Sequence, residues 1–311
     1  VSGGSMGKKA KQMKVLVTGS AGRVGRAIYI KLMQNYEVVG LDLTPCSTAD
    51  FVGDIRDRTL VRNALDGVDA VIHTAALHAP HVGLKSEQSF QEINVDATKQ
   101  LALQGIAAGI KQFVFTSTTA LYGYASTPEG KAGWINEQTP PQPKSIYHKS
   151  KIRAEHELEA IAKKHDLPVT VLQMSRCFPE PADLMAVYRL TRGIDARDVA
   201  LAHMCAIKKC LAGFNRFIIS GKTPFSSTDT SDLFHRADTL LAQQCPKIAA
   251  AFQARDWVLP KSLDRVYDSS LAQTQLEWNP QYGFEHVLTL LDNDFAEVLP
   301  VLTNTKKQPS N

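Results

Sequence analysis

Lys14-Val15-Leu16-Val17-Thr18-Gly19-Ser20-Ala21-Gly22-Arg23-Val24-Gly25 sets the architecture. An apolar run of strand length meets three glycines and a helical stretch reaching Asn35, after which Glu37-Val38-Val39-Gly40-Leu41 reads as a second strand. Glycines in such a turn let the backbone approach a pyrophosphate, and the free N–H groups at a helix start favour its negative charge. Gly19, Gly22, Arg23, Val24 and Gly25 are therefore expected to cradle a dinucleotide. The same spacing alone suits a tight turn without a ligand, so its position between strand and helix carries the weight.

Working outward, Asp42 ends the second strand, where a carboxylate can accept from both adenosine ribose hydroxyls and repel a 2′-phosphate. Leu43, Thr44 and Pro45 add no compensating charge, so NAD is expected over NADP, with Arg23 keeping a route to NADP. In Gly53-Asp54-Ile55-Arg56-Asp57, Asp54 could accept from the adenine amino group with support from Ile55. Further apolar runs follow at Ala70-Val71-Ile72, Phe113-Val114-Phe115, Val169-Thr170-Val171-Leu172 and Arg216-Phe217-Ile218-Ile219. Helical patterns fill Asn94 to Gly109 and Ser150 to His165, and later Ser226 to Gln244 and Phe284 to Val298. Short strands alternating with helices predict an α/β, Rossmann-type doubly wound parallel sheet with a small interleaved C-terminal substrate lobe. The expected division is 13–173, rejoined at about 194–221, for the dinucleotide domain, with 174–193 and 222–304 for the lobe.

Composition agrees with a globular core: 44% of 311 residues are hydrophobic, and no apolar run approaches the ~18–20 residues of a membrane span. The net charge of +4 belongs to the tails. Lys8, Lys9, Lys11, Lys306 and Lys307 supply the excess, so the body gives no basis for nucleic acid binding. Val1-Ser2-Gly3-Gly4-Ser5-Met6 reads as a cloning scar without a secretory apolar region, and 1–12 and 305–311 are expected to be tails. Five cysteines without C-x-x-C spacing predict reduced thiols, a cytoplasmic protein and no thiolate metal site. No His/Asp/Glu spacing suggests a metal either.

The chemistry is expected around Tyr147 and Lys151, one helical turn apart on the same face. An ammonium beside a phenol stabilises the phenolate, allowing proton exchange well below the free pKa of ~10. Phe113-Val114-Phe115-Thr116-Ser117-Thr118-Thr119 places hydroxyls just beyond a strand end, where open α/β sheets build active sites, and Thr118 is the choice for orienting a substrate oxygen. Taken singly, the pair also reads as a packed tyrosine beside a surface lysine, and the hydroxyl cluster as a turn.

Together these motifs resemble the extended short-chain dehydrogenase/reductases, the NAD-dependent epimerase/dehydratase family. T-G-S-A-G-R-V-G, G-D-I-R-D, H-T-A-A at His73 to Ala76, Asn94, F-T-S-T-T-A-L-Y-G and Y-H-K-S-K occur in that family's order over roughly residues 13 to 200. The resemblance implies a Thr118/Tyr147/Lys151 triad, Ala75 and Ala76 beneath the cofactor, Thr116 near nicotinamide, and Lys151 and Tyr147 contacting the nicotinamide ribose. It implies that Asn94 helps hold water or the lysine. Ser117, Thr119 and Tyr124 become substrate-side candidates, and a homodimer through the helices near Asn94 and Ser150 is expected.

After Leu172 the chain reads Met174-Ser175-Arg176-Cys177-Phe178-Pro179-Glu180-Pro181, with Arg176 where the family's nucleotide-sugar epimerases carry asparagine. The segment to Ile194 is short for enclosing a nucleotide. S-x-C-F-P-x-P-x-D is similar to uronate dehydrogenases, which oxidise free hexuronic acids, and that similarity puts His78, Thr118, Thr119 and Arg176 against substrate. Leu184 and Met185 stand where those enzymes carry a carboxylate-binding arginine. Arg176, Arg189 and Arg192 are candidates to replace it, because a guanidinium binds carboxylate bidentately. His81 is expected to be exposed and Cys177 to be packing. The expectation is an NAD-dependent oxidoreductase acting on a small sugar or sugar acid. The alternatives are an NDP-sugar 4-epimerase using the same triad, or a non-catalytic NAD-binding regulatory protein.

Overall fold

In the computed structural model, which describes residues 12–301, Val15, Leu16 and Val17 are all at 0% exposure. Val15 and Val17 enter one hydrophobic cluster while Leu16 enters another, so alternate side chains of this first strand feed layers on opposite faces of the sheet. Residues 1–11 and 302–311, with the five tail lysines and the expected tail 305–311, lie outside the described residues.

The strands are β1 Lys14–Thr18, β2 Glu37–Asp42, β3 Phe51–Val52, β4 Ala70–His73, β5 Gln112–Thr118, β6 Gly133–Ile135, β7 Val169–Met174, β8 Phe214–Ile219 and β9 Arg265–Tyr267. Seven form one parallel sheet in the order β3-β2-β1-β4-β5-β7-β8. The chain leaves β1 toward one edge and returns to build the other from β4. The strand order therefore reverses between β1 and β4, and a crevice opens at their carboxyl ends. This is the doubly wound α/β fold expected from the sequence.

The helices are α1 Arg23–Leu32, α2 Arg58–Ala64, α3 Glu87–Phe90, α4 Ala97–Ala108, α5 Ile146–His165, α6 Ala182–Thr191, α7 Ala196–Lys209, α8 Thr230–His235, α9 Ala237–Gln244, α10 Pro246–Gln253, α11 Ser270–Gln275 and α12 Phe284–Asp292. Gly25, Ile28 and Leu32 bury one stripe of α1. Side chains fix several starts: Asp57 accepts from Thr59 and Leu60 N–H ahead of α2, and Ser145 from His148 ahead of α5. Lys163, Lys164 and His165 close α5, where cations favour the negative end of the helix dipole.

Four helix boundaries differ from the sequence reading. The helix expected at Asn94 begins at Glu87, capped by Ser86, and passes through a π-helical turn at Gln91–Asp96 before α4. The helix expected from Ser150 begins at Ile146, after the Ser145 cap. The stretch Ser226 to Gln244 breaks at Arg236, whose φ of −149° and ψ of 47° leave the helical region. The last helix stops at Asp292 rather than Val298, Asn293 donating from its side chain to the Thr289 carbonyl. The pairing of β6 with β9 and the helix α10 had no counterpart in the sequence reading. A separate cluster joins Ala132, Met185, Leu190, Phe225, Leu241, Val266 and Phe284, well along the chain from the sheet's own clusters.

Candidate active site

The cleft at the sheet's carboxyl ends has a volume of about 770 Å³ and runs from Gly19–Gly25 and Asp42 to Arg176 and Arg265. At one end Gly19 sits at φ +70°, and a Cβ there would lie 2.5 Å from Thr74 Oγ1. Only glycine meets both demands. A Cβ on Gly25 would fall 2.0 Å from the Gly19 carbonyl, so Gly25 lets α1 close on the turn. Gly22, by contrast, has nothing nearer than 3.4 Å where its side chain would project. It caps α1 without a side-chain acceptor, and the first turn carries no acid. That leaves a helix start suited to a diphosphate.

Asp42 accepts from Ala21 N–H at 2.9 Å through one oxygen and from Thr44 N–H at 2.8 Å through the other. Each oxygen keeps acceptor capacity toward a ribose diol. Asp54 and Ile55 line the same cleft, and the guanidinium of Arg56 hydrogen-bonded to Asp54 holds its carboxyl below the usual range. Arg23 is paired with Glu297, which compensates the one charge that kept a route to a 2′-phosphate. Ala75, Ala76, Leu77 and His78 form the wall after β4. The donor set, the glycine cradle and the carboxylate all fit a dinucleotide carrying two ribose hydroxyls.

Thr116, Ser117, Thr118, Thr119, Tyr147 and Lys151 meet midway along the cleft. The Lys151 ammonium donates to the Thr116 carbonyl at 2.7 Å and lies 4.2 Å from the centre of the Phe115 ring. Burial drags its pKa down to about 7, against an upward pull from Glu155. Burial pushes the Tyr147 phenol up to about 12, with the Thr118 hydroxyl pulling the other way. Thr118 also accepts from Ala120 N–H at 3.1 Å, which fixes the strand end on which it stands.

The other candidates take places that agree with the sequence for His78 and Cys177 and depart from it for the rest. Asn94 is buried behind the wall: its side chain accepts from Leu77 N–H at 2.7 Å and donates to the Leu77 carbonyl at 2.8 Å and Ser150 Oγ at 2.9 Å. The Ser117 hydroxyl turns inward to Glu155 at 2.5 Å, and that of Thr119 toward the Met174 carbonyl at 3.4 Å. Thr116 directs its hydroxyl to His203 Nε2 at 2.7 Å, on the other side of the sheet. Tyr124 is exposed under Lys144 and outside the cleft lining. The Cys177 thiol is in the core, where burial pushes it up to about 12. His78 reaches the cleft, its backbone N–H donating to the ring of His81 at 3.0 Å.

Of the arginines, Arg176 and Arg192 line the cleft and Arg189 is buried against Asp195 at 3.3 Å. Arg265, which sequence reasoning missed, joins them from β9: Arg192 and Arg265 grip Asp264 from either side at 3.0 and 2.7 Å, while Arg176 pairs with Glu180. Its signal is absent from the local sequence because β9 reaches the cleft through pairing with the distant β6.

The NAD dependent epimerase/dehydratase family matches residues 15–182, more than half of the chain. The chain belongs to this family. Its cofactor is accordingly NAD, in agreement with the cradle and Asp42. Among relatives, an NAD-dependent glucose-6-phosphate dehydrogenase of Haloferax volcanii is 31% identical over 50% of this chain and 65% of its own length. A UDP-glucose 4-epimerase of Streptomyces lividans is 31% identical over 50% of this chain and 49% of its own. The chain thus spans between about half and two thirds of these relatives. In fold it is similar to a short-chain dehydrogenase/reductase superfamily protein of Agrobacterium tumefaciens solved with NAD, at 22% identity and a TM-score of 0.65, covering 89% of this chain and 95% of that one. A Thermotoga maritima UDP-glucose 4-epimerase gives 21% and 0.66, covering 91% and 99%.

Proposed function

We propose that this family member is an NAD-dependent oxidoreductase acting on an alcohol carbon of a small sugar or sugar acid. The observation that carries the reading is the closed excursion after β7. Arg176 N–H donates to the Arg192 carbonyl at 3.1 Å and Ile194 N–H to the Arg176 carbonyl at 2.9 Å. The chain between them is spent largely on α6 and leaves little to enclose a nucleotide base. A cleft of about 770 Å³ shared by dinucleotide and substrate lies within the ~300–1,000 Å³ usual for a single small-molecule ligand. Shared between the two, it favours a free sugar over one carrying a nucleotide. Three arginines against Glu180 and Asp264 leave one positive charge in excess at the substrate end, which suits a carboxylate or phosphate on that sugar.

NAD, when bound, supplies the acceptor for hydride. Tyr147 takes the proton of the reacting hydroxyl, Thr118 orients that hydroxyl, and Lys151 stabilises the phenolate. His78 and Arg176 hold the far side of the substrate. The 31% identity to an epimerase favours a second reading, NDP-sugar 4-epimerisation by the same triad without net redox change. Free uronates, aldoses and sugar phosphates offered with NAD, then UDP-hexoses, separate the two. Net NADH from a free sugar is expected; interconversion of UDP-hexoses without net NADH overturns the dehydrogenase reading. The proposal also includes a homodimer built on the adjacent helices α4 and α5, which Lys99 and Glu157 tie together at 2.8 Å. Five free cysteines suit a cytoplasmic setting.

A further inference from the structure

Beneath Lys151 lies a buried polar network that the catalytic reading does not use. Glu155, one turn further along α5, is 3% exposed, yet its carboxylate is held by three side chains. Ser117 Oγ donates at 2.5 Å, Gln173 Nε2 at 3.0 and 3.2 Å, and Arg216 Nε at 2.7 Å. Gln173 is in turn fixed by the Tyr122 hydroxyl, which donates to its Oε1 at 2.7 Å. The network therefore joins β5, β7 and β8 to the face of α5 that carries Lys151. A carboxylate taken out of water is costly unless its lone pairs are filled, and here they are filled without removing its charge.

We propose that Glu155 is a positioning residue for the reaction, its fixed negative charge keeping the buried Lys151 in the ammonium form that Tyr147 requires. Resting on the Tyr147/Lys151 reading above, it adds the group that sets the pH range of that pair. Other charged and titratable groups also face this region. On α5 there is Tyr147; His73 comes from β4 and His78 from the loop after it, and both feel the ammonium. Arg216 faces Glu155 from β8, and Glu137 and Tyr267 act with Glu155 on Tyr122, which bonds Gln173. Both histidines are pushed down by burial first, His73 to about 3, so neither adds a cation at neutral pH. The charge of Glu155 favours the ammonium and opposes the stronger effect of burial.

The test uses the cofactor-free protein with ¹³Cε-labelled lysine, the Lys151 resonance assigned by its loss in Lys151→Arg. In Glu155→Gln the Lys151 midpoint should move down by about one pH unit, a tenfold loss of proton affinity. In Arg216→Met, which strips a cation from Glu155, it should move up. The kcat–pH profile of each variant should follow its NMR midpoint. A network that only braces the fold would change melting temperature without this pattern of opposite signs. Midpoints equal to wild type, or moving in the same direction, overturn the proposal. If Glu155→Gln does not fold, the upward shift in Arg216→Met decides alone. The NMR arm needs no substrate, so it can fail independently of the dehydrogenase reading.

Discussion

Tyr147 stands where burial resists its ionisation, and Lys151 stands where burial resists its protonation. The ammonium is therefore the first of the two to lose its proton as pH rises, near about 7, well before the phenol. The reaction needs that ammonium, so kcat should be highest below about pH 6, fall as pH rises through about 7 and be low above. Oxidation and reduction should fall across the same interval, because both use the ammonium. A flat kcat profile between pH 6 and 8.5 would contradict the assignment. Replacing Tyr147 with Phe should lower kcat by about 10²–10⁴ while leaving NAD affinity within about twofold, as measured by turnover and by fluorescence of bound NADH. These two residues were legible because a helical turn brings positions four apart onto one face. Glu155 was not, since a glutamate on a helix ordinarily reads as a solvated face and only the folded sheet reveals what covers it. The direction of Ser117 was hidden for a related reason: strand alternation tells which side a residue takes, not which partner waits there.

At the level of elements, the wall of the cofactor cleft depends on one amide. Asn94 leaves the π-helical turn and bonds both backbone groups of Leu77 and the hydroxyl of Ser150, so it fastens the β4 loop to α5. Asn94→Ala should cost about 2–4 kcal/mol, because it leaves buried polar groups without partners. Denaturant unfolding measures this directly, and a loss below about 1 kcal/mol would show that the wall stands without the amide. The sequence located this asparagine by family resemblance but gave no sign of the extra residue per turn that aims it, since π turns have no strong local pattern. Helix centres were readable from periodicity. Their ends depended on caps such as Ser86 and Ser145, which resemble any other polar residue until the backbone is seen.

Across the whole molecule, the seven-stranded sheet could be anticipated because its strands are continuous apolar runs, while the substrate end could not. β6 and β9 lie far apart in the chain, and no local signal says that three-residue strands so separated will pair and deliver Arg265 to the cleft. Nor does the sequence indicate what the stretch after α12 does. Leu299 N–H donates to the Glu180 carbonyl at 2.9 Å, Ala182 N–H to the Leu299 carbonyl at 3.0 Å, and two residues earlier Glu297 pairs with Arg23 of the glycine turn. Glu297→Ala should therefore raise both the NAD Kd and the sugar KM by a few-fold. Titration of NADH together with sugar kinetics measures both, and a change confined to NAD would mean that the two ends act alone. With one segment tied to both ends of the cleft, the proposed sugar and NAD would be reciprocally coupled: whatever cofactor binding did to the affinity for sugar, sugar would do equally to the affinity for cofactor.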